Sequence, residues 1–114
     1  GIRFQVINLG GTIPFIVERM ESIARHRNPA QPFPTSRLRR LWFDSASMGP
    51  RALEAAVALY GADRIMLGTD WPIFRDPPWE TTLGAARLSP EVIRQVASGT
   101  AQALLDSLDA EACA

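Results

Sequence analysis

Apolar residues along this chain form two kinds of pattern: short continuous runs, and longer stretches at helical spacing. The short runs predict buried strands at about 2–7, 41–44 and 64–68. The longer stretches predict helices at about 12–27, 50–60, 89–97 and 100–108. Strands that alternate with helices in this way favour right-handed crossovers and a parallel sheet. The pattern therefore predicts an α/β fold with the order β-α-β-α-β-α.

The first two predicted helices have recognisable ends. Thr12 is a candidate N-cap for the first, and Phe15, Met20 and Ile23 are its predicted apolar stripe. The second is predicted to begin at Pro50 and to be closed by a glycine at position 61. Its predicted buried face consists of Leu53, Ala56, Val57 and Tyr60.

A polar side chain ends or follows each predicted strand: Asn8, Asp44 and Asp70. The carboxyl ends of parallel strands meet at one edge of a sheet, which is where α/β proteins place their chemistry. Asp70 and Asn8 are therefore predicted to converge on one site, with Asp70 as a candidate catalytic acid. Asp70 has an alternative role as a turn former, because the sequence Thr-Asp-Trp-Pro favours a turn.

The other two polar side chains also leave alternatives open. Asn8 precedes Gly10 and Gly11, so it either bonds its own turn or offers a substrate-orienting amide. A phosphate-binding loop at the start of the helix is a third possibility. Asp44 either contacts reacting groups or braces neighbouring arginines and caps the turn after its strand.

Composition narrows the class of protein. The 114 residues carry 12 basic and 12 acidic side chains, and every basic one is arginine. This balance predicts no nucleic-acid partner, and no apolar run approaches the ~20 residues that span a bilayer. The absence of lysine excludes a lysine Schiff base within these residues. Cys113 is the single cysteine, so an internal disulfide is excluded and a cytoplasmic location is predicted.

The small number of strands predicts a partial domain. Three short parallel strands leave two open edges and a sheet too small to be covered on both faces. The chain also begins at Gly1 without an initiator methionine or signal peptide. We therefore expect it to be part of a longer chain.

Three segments resemble the C-terminal third of the amidohydrolase-2 family, which includes aminocarboxymuconate-semialdehyde decarboxylase and related aromatic-acid decarboxylases and hydrolases. The segments are 8–19 (NLGGTIPFIVER), 41–46 (LWFDSA) and 61–72 (GADRIMLGTDWP). The resemblance implies a TIM (β/α)₈ barrel, of which this chain carries strands six to eight. It implies a partial barrel domain over 1–108, followed by a polar C-terminal tail over 109–114.

The resemblance also implies a metal centre. Family members bind one divalent metal, usually zinc, through a His-x-His pair, a further histidine and an aspartate on the eighth strand. Only the aspartate has a counterpart here, Asp70, which is expected to be a metal ligand and to handle a proton. Where the family commonly has a histidine that assists proton transfer, this chain has Asn8, which cannot shuttle protons near neutral pH.

Further candidates lie outside the strand ends. In the related decarboxylases an arginine at the position of Arg19 reaches a substrate carboxylate across a homodimer interface, whereas the alternative is a surface salt bridge with Glu18 or Glu21. Trp71 and Phe74, with Trp79, are candidates to line an apolar substrate pocket or to pack their loop on itself. The only histidine, His26, is expected at a helix end rather than at a metal.

The sequence thus predicts part of a metal-dependent enzyme that hydrolyses or decarboxylates a small carboxylated or cyclic substrate. The alternative is a non-catalytic scaffold, because one carboxylate cannot hold zinc firmly. In either case the 114 residues alone are expected to be inactive.

Overall fold

Three short parallel strands form the centre of the computed structural model, which describes residues 2–46 and 48–112. The strands are β1 (Gln5–Val6), β2 (Trp42–Asp44) and β3 (Ile65–Met66). They pair in the order β1-β2-β3, and both pairs are parallel. This confirms the predicted parallel α/β arrangement. The strands are shorter than predicted because β1 and β3 each have a pairing partner on one side only.

Helices connect and follow the strands. They are α1 (Ile13–Arg27), α2 (Gly49–Tyr60), α3 (Pro90–Arg94) and α4 (Thr100–Ala112). A wider helical turn over Gln95–Gly99 joins α3 to α4, and a similar turn covers Trp79–Leu83. Short 3₁₀ turns cover Asn8–Gly10, Thr35–Arg40 and Ala62–Arg64.

The last helix continues past its predicted end at Leu108, through Ala112. Alanines favour this extension, and Glu111 forms an ion pair with Arg3 near the start of the chain. Residues 109–112 of the predicted tail are therefore helical. Cys113, on which the prediction about disulfides depends, lies outside the described residues.

Helix α1 has the predicted limits, but its predicted packing is wrong. Thr12 has helical backbone angles and makes no side-chain cap hydrogen bond, so it is not a conventional N-cap. Phe15 is 91% exposed, and the buried residue of the helix is Val17. Ile13, one turn before Val17, also packs against the core. The neighbouring α2 selects this face of α1, and Phe15 lies on another side of the helix.

The hydrophobic core lies between the sheet and α2, as the spacing in α2 predicts. Leu53, Ala56 and Tyr60 are fully buried, and Gly61 ends the helix with a positive φ of 89°. The ring of Phe43 in β2 stacks on that of Tyr60, with centroids 3.8 Å apart and planes within 6°. This stack joins the central strand to α2. Among the described residues, no helix has the length and apolar character needed to cross a membrane.

Tyr60 also holds the turn that follows β1. Its buried hydroxyl donates a hydrogen bond of 3.1 Å to the carbonyl oxygen of Leu9. Replacing Tyr60 by phenylalanine is expected to lower the free energy of unfolding by about 1–2 kcal/mol, because the buried carbonyl loses its donor. Chemical unfolding of the complete protein at pH 8 measures this loss.

The same variant should change the response to alkaline pH. Burial raises the pKa of Tyr60 to about 12, whereas a tyrosine in an unfolded chain titrates near pH 10. The wild type therefore loses up to about 2–3 kcal/mol of stability from this group as the pH rises from about 10 to about 12. Tyr60→Phe should lack this component. Equal pH dependence of wild type and variant would contradict the assignment.

Candidate functional site

The carboxyl ends of all three strands open into one cavity of about 260 Å³, here named the carboxyl-end cavity. Its polar lining comes from every strand end: Gln5, Asn8, Asp44, Thr69 and Asp70. The structure therefore brings the two predicted site residues, Asn8 and Asp70, to the same cavity. Parallel pairing explains this convergence, because it aligns the ends of strands that are distant in sequence.

Asp70 lies at the exposed edge of this cavity, just beyond β3, in the left-handed backbone conformation (φ 55°). Its carbonyl oxygen accepts hydrogen bonds from the backbone N–H groups of Ile73 (2.9 Å) and Phe74 (3.3 Å). Asp70 is thus a turn former, as one interpretation of the sequence predicts. These bonds use only its main chain, and the carboxylate receives no hydrogen bond within the described part of the chain, so its oxygens can act as anionic ligands.

Asn8 begins a tight turn at the end of β1. Asn8 and Leu9 both have φ of 53°, and Gly10 and Gly11 also have positive φ. The side-chain amide of Asn8 donates a hydrogen bond of 3.0 Å to the carbonyl oxygen of Ala46, beyond β2. The amide therefore joins two strand ends. Asparagine tolerates this conformation, but Leu9 is strained by it, and strained residues cluster at functional sites.

Asp44 forms the buried wall of the cavity and is 8% exposed. Its Oδ1 accepts hydrogen bonds from the backbone N–H groups of Asn8 (3.2 Å) and Ala46 (3.1 Å), and its Oδ2 accepts one from Nε2 of Gln5 (3.1 Å). Asp44 therefore caps the turn after its strand, as one alternative predicts, but it braces the end of β1 rather than an arginine.

The aromatic residues of the following loop lie at or beyond the edge of the site. Phe74 lines a second cavity of about 180 Å³, and Thr69 lines both this cavity and the carboxyl-end cavity. Trp71 and Trp79 are exposed and line neither. The substrate-binding roles of Trp71 and Phe74 remain predictions.

Arg19 and His26 lie away from the cavity on exposed positions of α1. Within the described ranges, Arg19 forms no ion pair with Glu18 or Glu21, which were named as partners in the alternative interpretation of Arg19. His26 occupies the last turn of α1, as predicted. A role of Arg19 toward a substrate carboxylate remains a prediction.

A metal ion needs more ligands than these residues supply. Across residues 2–46 and 48–112, no group of three or more His, Cys, Asp or Glu side chains is placed to hold one. A zinc site takes three or four protein ligands. Asp70 offers one suitable carboxylate, so the described residues do not by themselves fit a metal ion.

Two residues at this edge were not singled out from the sequence. Gln5 donates to Asp44, and Ser45 accepts a hydrogen bond of 3.3 Å from the backbone N–H of Gly68. Gln5 interrupts an apolar run, a signal that could have been noticed. Ser45 has no comparable local signal, because its partner lies in the next strand segment.

The chain is similar in sequence to one known protein family. A family model described as amidohydrolase matches residues 6–106. No curated protein matches the chain.

Several solved structures share its fold. A dihydroxybenzoic acid decarboxylase from Polaromonas sp. JS666, with bound manganese and the inhibitor 2-nitroresorcinol, aligns with 91% of this chain and 33% of its own at 18% identity and a TM-score of 0.74. A 2,6-dihydroxybenzoate decarboxylase from Rhizobium aligns over 94% of this chain and 35% of its own chain, with 19% identity and a TM-score of 0.74. A 5-carboxyvanillate decarboxylase from Sphingomonas paucimobilis aligns over 87% of this chain and 32% of its own chain, with 20% identity and a TM-score of 0.70.

The chain thus spans about a third of the length of these structures. The predicted fold, three β/α units of a partial (β/α)₈ barrel, is confirmed.

Proposed function

Because the chain belongs to the amidohydrolase family, we propose that it forms part of a metal-dependent enzyme that decarboxylates or hydrolyses a small carboxylated organic molecule. The observation that carries this proposal is the position of Asp70. Its carboxylate is exposed at the carboxyl-end cavity, and Asp70 contributes to its own turn through its main chain alone. The carboxyl ends of barrel strands are where enzymes with this fold place their active sites.

In this proposal the complete site includes residues outside these 114. Asp70 would supply one oxygen ligand to a divalent cation and would handle a proton, while the remaining ligands would come from the rest of the barrel. We expect zinc, and manganese is the alternative because the Polaromonas enzyme binds it. When bound, such an ion would supply Lewis-acid chemistry at this site.

The other candidate residues have supporting roles in the proposal. Asn8 orients the substrate through its amide, since it cannot exchange a proton near neutral pH. Trp71 and Phe74 provide apolar contacts, and Arg19 binds a substrate carboxylate across a homodimer interface. We place the protein in the cytoplasm.

Removal and return of the metal test the proposal. The complete protein, stripped with a chelator, should lose activity and recover it with Zn²⁺ or Mn²⁺. Substituted hydroxybenzoates, assayed for CO₂ release, and lactones and amides, assayed for hydrolysis, distinguish the two reactions. Turnover that is insensitive to the chelator would contradict a metal-dependent enzyme.

A non-catalytic scaffold is the second candidate. It is favoured by the absence of a three-ligand group among the described residues and by Asn8 in place of a proton-shuttling histidine. A purified complete protein with one bound divalent ion per chain would refute it, whereas a metal-free protein without turnover would support it.

A further inference from the structure

We infer that the end of β2 is a clamp, in which Asp44 positions Asn8 and Ser45 positions the strand end that carries Asp70. Neither clamp residue is a metal ligand or a catalytic group in this inference. It deepens the proposed function, because it rests on Asn8 and Asp70 belonging to one site.

The first arm of the clamp joins β2 to β1. Oδ1 of Asp44 accepts hydrogen bonds from the backbone N–H groups of Asn8 and Ala46, at 3.2 and 3.1 Å. The side-chain amide of Asn8 donates a hydrogen bond of 3.0 Å to the carbonyl oxygen of Ala46, so the end of β1 also donates to the segment after β2. A carboxylate that accepts backbone N–H groups forms charge-assisted hydrogen bonds, which are stronger than neutral ones. Asp44 therefore holds the strained turn at Asn8 in place.

The second arm joins β2 to β3. The backbone N–H of Ser45 donates to the carbonyl oxygen of Met66 at 3.0 Å, and its Oγ accepts from the backbone N–H of Gly68 at 3.3 Å. Ser45 is 1% exposed, so its side chain is shielded from water. Gly68 lies two residues before Asp70, and Ser45 therefore helps to position the chain where it leaves β3.

Close packing couples the two arms. A Cβ atom at Gly68 would lie 3.0 Å from Oδ1 of Asp44 and 3.0 Å from the backbone nitrogen of Ala46. The end of β3 thus rests directly on the clamp carboxylate. Both oxygens of Asp44 already accept hydrogen bonds from the protein, which favours a positioning role over contact with a reacting group.

Three variants of the complete protein test the clamp: Asp44→Asn, Asp44→Ala and Ser45→Ala. Asparagine keeps the Oδ1 acceptor but not the charge, so Asp44→Asn should lose clearly less kcat/KM than Asp44→Ala, which should lose about 10- to 100-fold. Ser45→Ala should raise the Kd for Mn²⁺, titrated alone into the metal-free protein, by about three- to tenfold. Asp106→Ala on the exposed surface of α4 is the matched control and should change neither quantity.

Hydrogen exchange provides a readout that does not depend on activity. Asp44→Ala should speed hydrogen exchange of the backbone amides of Asn8 and Ala46 about tenfold. Ser45→Ala should speed exchange of the backbone amide of Gly68 by a similar factor. Other amides should change little in either variant. If Asp44→Ala does not fold, Asp44→Asn and Ser45→Ala still test whether Asp44 and Ser45 position the site.

Each contrary outcome has a distinct meaning. A loss in Asp44→Asn as large as in Asp44→Ala would assign a catalytic carboxylate and overturn the clamp. Lower unfolding midpoints with unchanged kcat/KM and Mn²⁺ affinity would show a purely structural role and also overturn it. A wild type with neither turnover nor metal binding would refute the proposed function. The clamp would then be supported by faster exchange confined to the Asn8, Ala46 and Gly68 amides, and overturned by unchanged exchange there.

Discussion

Replacing Asp70 with asparagine in the complete protein is expected to weaken binding of a divalent metal by about tenfold or more and to lower kcat/KM by about a thousandfold or more. Asparagine has nearly the same shape but lacks the negative charge that makes a carboxylate the stronger ligand for a divalent ion. It also tolerates the left-handed conformation that Asp70 adopts, so the turn to Ile73 and Phe74 should persist. The loss should therefore come from the ligand and not from the fold.

The matched control is Asp63→Asn, at the opposite end of the same strand. Asp63 is exposed, and its carboxylate pairs with Arg39 and Arg64 away from the carboxyl-end cavity. Metal content, kcat/KM and the unfolding midpoint should be compared for both variants. Wild-type metal binding in Asp70→Asn would contradict the assignment of Asp70 as a ligand.

Replacing Phe43 with alanine is expected to lower the free energy of unfolding by about 3–5 kcal/mol. Phe43 is fully buried in the central strand and stacks on Tyr60, so its removal leaves a cavity between the sheet and α2. Phe43→Leu, which fills part of that space, should be less damaging. Urea unfolding of the complete protein, followed by fluorescence and circular dichroism, measures the loss.

Phe15→Ala is the control for this prediction, because it removes the same ring from a position that is 91% exposed. It should lower the free energy of unfolding by clearly less than Phe43→Ala does. Equal losses in the two variants would contradict the assignment of the core. Phe43 directly precedes Asp44, so its loss should also disturb the clamp at the end of β2.

Local patterns were sufficient for much of this architecture. The apolar runs located all three strands, and the spacing of Leu53, Ala56 and Tyr60 identified the buried face of α2. The glycine at 61 identified the end of that helix. Each of these signals is contained in a few neighbouring residues, which is why it can be recognised without a structure.

Predictions that depended on distant neighbours were less successful. The stripe of Phe15, Met20 and Ile23 has helical spacing, but Ile13 and Val17 are the residues of α1 that pack toward the core. Several apolar residues surround α1, and the helix alone does not determine which of them meets α2. The cap at Thr12 also failed, because Thr12 itself already has helical backbone angles, after a turn in which Gly10 and Gly11 have positive φ.

By itself, the sequence determined the α/β class, the order of the elements, the family and the location of Asp70 at a strand end. Only the tertiary structure decided how the site is held together. Asp44 meets Asn8 across 36 residues, and Ser45 meets Gly68 across 23. Sequence spacing does not specify such hydrogen bonds, because they depend on the parallel alignment of three strands. The fold therefore makes the end of β2 the support for the two residues predicted to carry the chemistry.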